Sequence, residues 1–509
     1  MTRPPTVSLD GQSLTITDVV RLARTPNVRV AIAAGALDRL GASRSIVDRA
    51  VARGDRIYGV NTGFGKLANV TVAPGSLDQL QTNLLRSHAA GVGAPLPSDV
   101  VRAMMLLRAN VLLRPTSGVR PALAVALVDL LNSGLVPIVP SQGSVGASGD
   151  LAPLSHLGLA LMGEGSIIGP SGVVPAKEAL RQTGLDPFRF GPKEGLAFIN
   201  GTQAQTAILA LLVHDASVLW RTAVAAAAMS LEALRGTPTP LDPRIHDARP
   251  HPGQSAAAAL MRRLLAESEI RESHRVDDPR VQDAYSLRCT PQVLGAVADA
   301  IGFARAAAAI ELNASTDNPL VFANGEVLSG GNFHGQPVAQ ALDFLAIALV
   351  TLQAMSERRV ERLVNPDLSQ GLPAFLTKDP GLRSGYMMVQ ITAASLVAES
   401  RTLAHPASIG SIPTDANQED FVPMGMAAAS KAQRILVNGA AVVAAELLCA
   451  AQGIEFLAPL QPGVGVKALH RQVREGPFCV AVLEEDRPPG VDLERLAAGV
   501  LAGAFDPGD

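Results

Sequence analysis

From about Glu194 onward the chain repeats one kind of segment: long windows rich in alanine and leucine, apolar on several faces at once. They run from Gly201 to Leu234, Ser255 to Ala266, Pro291 to Ala314, Pro337 to Arg362 and Gly385 to Leu403. Most are longer than the roughly 11–12 residues of an average helix. A helix that is apolar on several faces needs other helices around it. Aromatic residues make up 3% of the 509 positions and apolar residues 48%, so Ala, Leu and Val must build the core. Ala and Leu are strong helix formers, whereas strands draw on aromatic and β-branched residues. These features predict a mainly α fold: a long central helical bundle, of a kind that often oligomerises. A smaller mixed N-terminal region, rich in Gly, Pro and short apolar runs, precedes it. The length exceeds one ordinary domain. The expected division is a mixed region over 1–195, then the long-helix bundle and a C-terminal helical region over 196–509.

Within the mixed region, TVSLDGQSLTI reads as a small strand pair from Thr6 to about Ile16, turning at Asp10-Gly11. Leu77 to Asn132 carries apolar residues at helical spacing. YGVNTGFG (Tyr58 to Gly65) and PIVPSQGSVGASGD (Pro137 to Asp150) are so punctuated by Gly and Pro that both are placed on loops.

Charge and cysteine content narrow the function classes. The net charge is −3 with no block of basic residues, which argues against a nucleic-acid partner. Three cysteines, Cys289, Cys449 and Cys479, without zinc-ligand spacing fit a reduced, cytoplasmic protein. MTRPPTVSLDG has no apolar signal core. The most membrane-like stretch, Ala204 to Leu234, contains His214, Asp215 and Arg221, so a buried helix is expected and no membrane partner. NTGFGK lacks the glycine spacing of a phosphate loop, and Leu67 follows Lys66 where Ser or Thr is needed. His246 and His251 form no ligand pattern, and no metal is expected.

The stretch SVGASGD, Ser144 to Asp150, carries unusual chemistry. Ala147 crowds its own carbonyl little, and Gly149 leaves its nitrogen open and its dihedrals free. If a tight fold presses the Gly149 nitrogen onto the Ala147 carbonyl carbon, a five-membered ring closes. Loss of water from that ring and from Ser148 then yields a methylidene-imidazolone, an electrophile that no standard side chain provides. Asp150 is a good N-cap for LAPLSHLGLALMGEG. The tripeptide would then sit at a helix N-terminus, whose dipole favours developing negative charge. By itself, a Gly-rich loop ending in Ser-Gly-Asp is also an ordinary way into a helix.

GSVGASGDLAPLSHL (Gly143 to Leu157) resembles the prosthetic-group segment of the histidine and aromatic amino-acid ammonia-lyase family. The resemblance continues in order along nearly the whole chain. YGVNTGFGKLA (Tyr58 to Ala68) is similar to the family's tyrosine loop, and LLRSHAAGVG (Leu84 to Gly93) to its substrate-selecting segment. KEGLAFINGTQ (Lys193 to Gln203), VQDAYSLRCTPQVLGA (Val281 to Ala296), STDNPL (Ser315 to Leu320), SGGNFHGQPVA (Ser329 to Ala339) and HPASIGSIPTDANQED (His405 to Asp420) complete the series. The resemblance implies a mostly helical homotetramer with active sites assembled from several subunits. It also implies a 4-methylidene-imidazol-5-one formed from Ala147-Ser148-Gly149, with no external cofactor.

A family member must break a weakly acidic carbon–hydrogen bond and expel an amine. The resemblance implies Tyr58 as the base or proton-handling group. A phenol titrates near ~10, so the site would have to lower its pKa. Arg288 would anchor the substrate carboxylate through its planar fork. Gln282 and Tyr285 stand six and three residues before it and would face the same pocket. Asn200 would hold the prosthetic ring or the substrate, and Phe333 would line the pocket. Histidine-specific members carry Ser-His where this chain has Ser87-His88, and an acidic residue where it has Glu419. An imidazole at position 88 can exchange a hydrogen bond with a substrate imidazole. The expected reaction is therefore removal of ammonia from L-histidine to give urocanate. A phenylalanine or tyrosine ammonia-lyase or aminomutase is the sister reading, and a non-catalytic helical scaffold the reading from another class. Where histidine-specific members read His-Val-Ser-Met-Gly after the acidic residue, this chain has Phe421-Val422-Pro423-Met424-Gly425, and Gln336 stands where Glu is common.

Overall fold

A computed structural model of the chain describes residues 5–169 and 172–508. Residues 1–4, part of the stretch read for a signal core, lie outside it. The protein is mainly α, as its composition predicts. The strands are two to four residues long and form small separate sheets.

The long apolar windows are helices: Gln203–Ala233, Pro252–Leu264, Thr290–Glu311, Gln336–Val364 and Met387–Leu403. A further long helix, Gly425–Glu455, falls outside the windows singled out from the sequence. Leu77 to Asn132 divides into Leu77–His88, Ser98–Leu112 and Pro121–Asn132. Their buried side chains are mainly aliphatic; Leu209, Val224 and Ala225 of Gln203–Ala233 are wholly buried. Among the described residues, four helical stretches are long and apolar enough to cross a membrane by length and composition: 194–233, Thr290–Glu311, Gln336–Val364 and Gly425–Glu455. In the first, the most apolar window is 100% buried inside the protein itself.

The expected hairpin at Thr6 to Ile16 does not form. Thr6–Leu9 pairs in parallel with Arg29–Ile32, and the helix Ile16–Arg24 lies between them in sequence. Two local devices redirect the chain. The Asp10 carboxylate accepts from the Gln12 and Ser13 backbone N–H groups and from Ser13 Oγ, bending the chain at Gly11. Thr15 and Asp18 then form a reciprocal capping box that starts the helix.

The residues group into two compact units. One comprises Met1–His214, Arg305–Asp343 and Pro406–Ser430; the other comprises Asp215–Ala304, Phe344–His405 and Lys431–Asp509. In the second, a buried ion pair ties three long helices together. Arg359 and Glu446 are both 0% exposed, with Arg359 Nη2 2.9 Å from Glu446 Oε2. Ser230 Oγ and Ser356 Oγ donate to the same carboxylate, at 2.8 and 2.5 Å.

Candidate active site

The tripeptide loop is folded tightly by glycines. Gly146 and Gly149 adopt φ of 76° and 80° and bridge each other across Ala147 and Ser148. A side chain on Gly149 would collide with the Gly201 backbone, and the next residue, Asp150, donates its N–H to the Gly201 carbonyl at 2.6 Å. Position 149 therefore needs glycine for both its dihedrals and its space. Ala147 is buried, while Ser148 is half-buried.

Asp150 does start the helix Leu151–Leu161, but its carboxylate does not cap it. It accepts instead from Ser144 Oγ (3.1 Å) and from the Gln205 N–H (2.9 Å) and Nε2 (3.1 Å). Burial pushes its pKa up to about 6, against the pull of those bonds. Gln205 was not among the residues legible in the sequence. Its amide packs where side chains on Gly146, Gly335 and Gly425 would stand, so three glycines, two on separate loops and one at the start of the helix Gly425–Glu455, close around it. Gly335 also donates its N–H to the Gly146 carbonyl at 3.0 Å, tying the loop that carries Phe333 to the tripeptide loop.

Glu419 meets the tripeptide directly. Ser148 Oγ donates to Glu419 Oε1 at 2.5 Å, and Thr414 Oγ1 to Oε2 at 2.6 Å. The intervening turn is held in left-handed backbone at Asp415, Ala416 and Asn417, with φ of 48°, 50° and 65°. Such a conformation is costly for non-glycine residues and concentrates at functional sites. It places Asp415 against the tyrosine loop, where its carboxylate accepts the Lys66 N–H at 3.0 Å. The neighbouring Gly65 N–H donates to the Tyr58 hydroxyl at 3.1 Å. Asp415 lies inside a matched motif but was not singled out, because its partner is 349 residues away.

The surroundings of Tyr58 act opposite to the sequence-based expectation. Burial pushes its phenol above the ordinary value; the Gly65 N–H opposes this, and the Asp415 and Glu419 charges reinforce it. Within this chain Tyr58 is held as a protonated phenol.

His88 ends the helix Leu77–His88. Its Nδ1 lies 2.9 Å from the Leu84 carbonyl oxygen, which can only accept, so Nδ1 carries the hydrogen. Burial lowers the imidazole pKa below 6.5, against the Leu84 bond and the Asp415 and Glu419 charges. The neutral ring therefore keeps Nε2 as an acceptor. Asn200 is buried and donates through Nδ2 to the Asn318 carbonyl at 3.1 Å and to Asp317 Oδ1 at 3.4 Å.

Gln282, Tyr285 and Arg288 belong to the second unit, whereas the tripeptide belongs to the first. Tyr285–Arg288 is a single helical turn. Gln282 and Arg288 line one cavity of ≈ 630 Å³ together with Thr237, His274, Cys289 and Gln292. Tyr285 is not on its wall; it is 69% exposed, with the Arg288 guanidinium 4.5 Å over its ring. Arg288 Nε is buried without a hydrogen-bond partner among the described residues.

The residues that depart from the family pattern are accommodated locally. Phe421 stacks on His334 (centroids 6.1 Å, 23° between planes), and its carbonyl is 3.1 Å from His334 Nε2. Pro423 packs beside Gly146. Gln336 Nε2 donates to the Ser408 carbonyl at 3.4 Å.

Comparison with known proteins follows the same pattern. The aromatic amino acid lyase family model matches residues 14–475. The chain is 50% identical to the histidine ammonia-lyase of Anaeromyxobacter sp. (strain K), over 98% of this chain and 99% of that one. It is similar in structure to the histidine ammonia-lyase of Trypanosoma cruzi, with a TM-score of 0.90, 42% identity and coverage of 98% and 94%. It is also similar to the tyrosine aminomutase of Streptomyces globisporus, with a TM-score of 0.91, 38% identity and coverage of 98% and 97%. The chain belongs to the aromatic amino acid lyase family.

Proposed function

We propose that this protein is a carbon–nitrogen lyase that converts L-histidine to trans-urocanate and ammonia without oxidation. The observation that carries the reading is the 2.5 Å contact between Ser148 Oγ and Glu419, on a turn that only glycine can complete. Its similarity over nearly the whole chain to histidine ammonia-lyases supports it. The residues fit a prosthetic group built from Ala147-Ser148-Gly149. The tight turn favours closure of the Gly149 nitrogen on the Ala147 carbonyl, and the Ser148 hydroxyl is the group lost as water. Once formed, a methylidene-imidazolone supplies the electrophile that the amine's departure requires. No external cofactor and no metal enter the scheme.

The other side chains bind, orient and move protons. His88 Nε2 accepts an N–H from the substrate imidazole. Glu419 accepts from the imidazole or the ammonium. Tyr58 handles the proton of the carbon–hydrogen bond. Burial is the main reason the phenol stays protonated; a substrate ammonium arriving beside Asp415 and Glu419 offsets the two charges that reinforce it, and so favours the phenolate. Arg288 holds the substrate carboxylate through two parallel bonds, with Gln282 and Tyr285 beside it. Asn200 holds the ring or the substrate, and Phe333 lines the pocket. The assembly is a cytoplasmic homotetramer whose sites draw on several subunits, with a small-molecule substrate and neither nucleic acid nor membrane as partner.

Ser148→Ala tests the mechanism. It is expected to fold normally, to show the mass its sequence dictates, and to produce no urocanate, whereas the native chain is lighter by two waters. A native chain of unaltered mass would favour an inert scaffold.

A further inference from the structure

Behind the tripeptide loop, Arg108, Lys193, Asn200 and Asp317 are all buried. Two cations and one carboxylate thus share a site without solvent. Lys193 Nζ lies 2.8 Å from Asp317 Oδ2, and both side chains are 0% exposed. The other carboxylate oxygen, Oδ1, accepts the Asn318 N–H at 2.7 Å and Asn200 Nδ2 at 3.4 Å. Arg108 donates to Gln203 Oε1 at 2.5 Å and to the Ala197 carbonyl. Its guanidinium fills the space that a side chain on Gly201 would take.

The geometry has a second element. Lys193 stands at the start of the helix Glu194–Ile199 with a left-handed φ of 74°, and Asn200 stands at its end. Both ends of this six-residue helix are therefore tied to the one Asp317 carboxylate. A non-glycine residue holds a positive φ only when its surroundings over-determine it. The next residue, Gly201, is the one against which Gly149 packs.

The orientation of the Asn200 amide follows from its partners. Asp317 Oδ1 and the Asn318 carbonyl are both acceptors, so both call for the NH2 group. A flipped amide would set its oxygen against a carboxylate and a carbonyl. Oδ1 is consequently the atom that Asn200 can offer to a ligand. An acceptor in this place suits an ammonium and repels a carboxylate.

We propose that Lys193 and Asp317 are positioning residues for the reaction: their buried pair locks the Asn200 carboxamide with Oδ1 presented to the substrate ammonium. This rests on the reading that Asn200 contacts the substrate. The pair touches no reacting atom; it acts through Asn200.

A double-mutant cycle on the full-length protein tests this. Asp317→Asn keeps the size of the side chain but can turn its own NH2 toward Asn200. It is expected to lower kcat/KM for L-histidine, counted per chain that has lost two waters, by about tenfold. In an Asn200→Ala background the same change is expected to cost less than about twofold, because the interaction it works through is gone. A readout without the prosthetic group comes from the Ser148→Ala protein, where Asp317→Asn is expected to weaken L-histidine binding by a similar factor. Equal losses in both backgrounds, or no loss in the native background, would overturn the proposal. An unchanged Kd would overturn the assignment of Oδ1 to the substrate. If Asp317→Asn alone does not fold, Lys193→Met with Asp317→Asn removes one buried cation along with the carboxylate, leaving Arg108 on its neutral partners Gln203 and the Ala197 carbonyl, and enters the same cycle. A native chain that makes no urocanate sinks the proposed function instead, and the Kd measurement keeps the two failures apart.

Discussion

At the scale of single residues, much rests on one proton of His88. Nδ1–H is committed to the Leu84 carbonyl, so the ring's only acceptor is Nε2, and only while the ring is neutral. Burial lowers its pKa below 6.5 and keeps that acceptor available near neutral pH. Protonation turns Nε2 into a donor, which cannot accept from the substrate imidazole as proposed. The expected outcome is that kcat/KM for L-histidine falls as pH drops through the lowered His88 pKa, a fall that a pH profile would register. His88→Leu should abolish this limb of the profile. It should also cost about tenfold to a hundredfold in kcat/KM for histidine, the order expected when a buried polar group loses its partner, without a matching loss for phenylalanine. An unchanged preference between the two amino acids would remove His88 from substrate selection. Tyr58, Ser148 and Glu419 were nameable from their motifs. Asp415 and Gln205 were not, because what they do depends on contacts between distant parts of the chain. Nor did the motif disclose the electrostatics of Tyr58: burial, and after it two nearby carboxylates, raise its pKa, where a base acting alone would need it lowered.

At the scale of elements, periodicity was a good guide to long helices and a poor one to short strands. The windows found by Ala and Leu content became helices within a few residues of their expected ends. Gly425–Glu455 has the same composition and could have been read the same way. The N-terminal strand pair failed because Asp10-Gly11 was taken as a hairpin turn, while Thr15 and Asp18 were already spelling a helix start. What alternation cannot supply is the distant partner, here Arg29–Ile32. Inside the second unit the buried Arg359–Glu446 pair supports a specific stability prediction. Glu446→Ala leaves the guanidinium buried without its partner, and so does the loss of the Ser230 and Ser356 bonds leave two hydroxyls unsatisfied. The cost should be about 3–5 kcal/mol, measured by denaturant unfolding. A loss within about 0.5 kcal/mol, the range of an ordinary surface change, would show that the pair is not holding those helices.

At the scale of the whole molecule, composition alone was enough for the fold class: few aromatics and abundant Ala and Leu leave helix packing as the way to bury a large core. The division of labour between units was not legible. The sequence places Gln282, Tyr285 and Arg288 in one motif series with Ser148 and Glu419, yet the two sets belong to different compact units. A linear order of motifs carries no information about which unit holds them. The first unit holds the tripeptide, His88, Tyr58 and Glu419, the groups proposed to select a substrate imidazole and react with it. The measurement that tests this most directly is an ultraviolet assay of the purified native protein with L-histidine, L-phenylalanine and L-tyrosine in parallel. The account predicts urocanate from histidine and no comparable product from the other two. Cinnamate or coumarate in place of urocanate would contradict the assignment of substrate to His88 and Glu419, and silence with all three would contradict the assignment of a reaction to the chain.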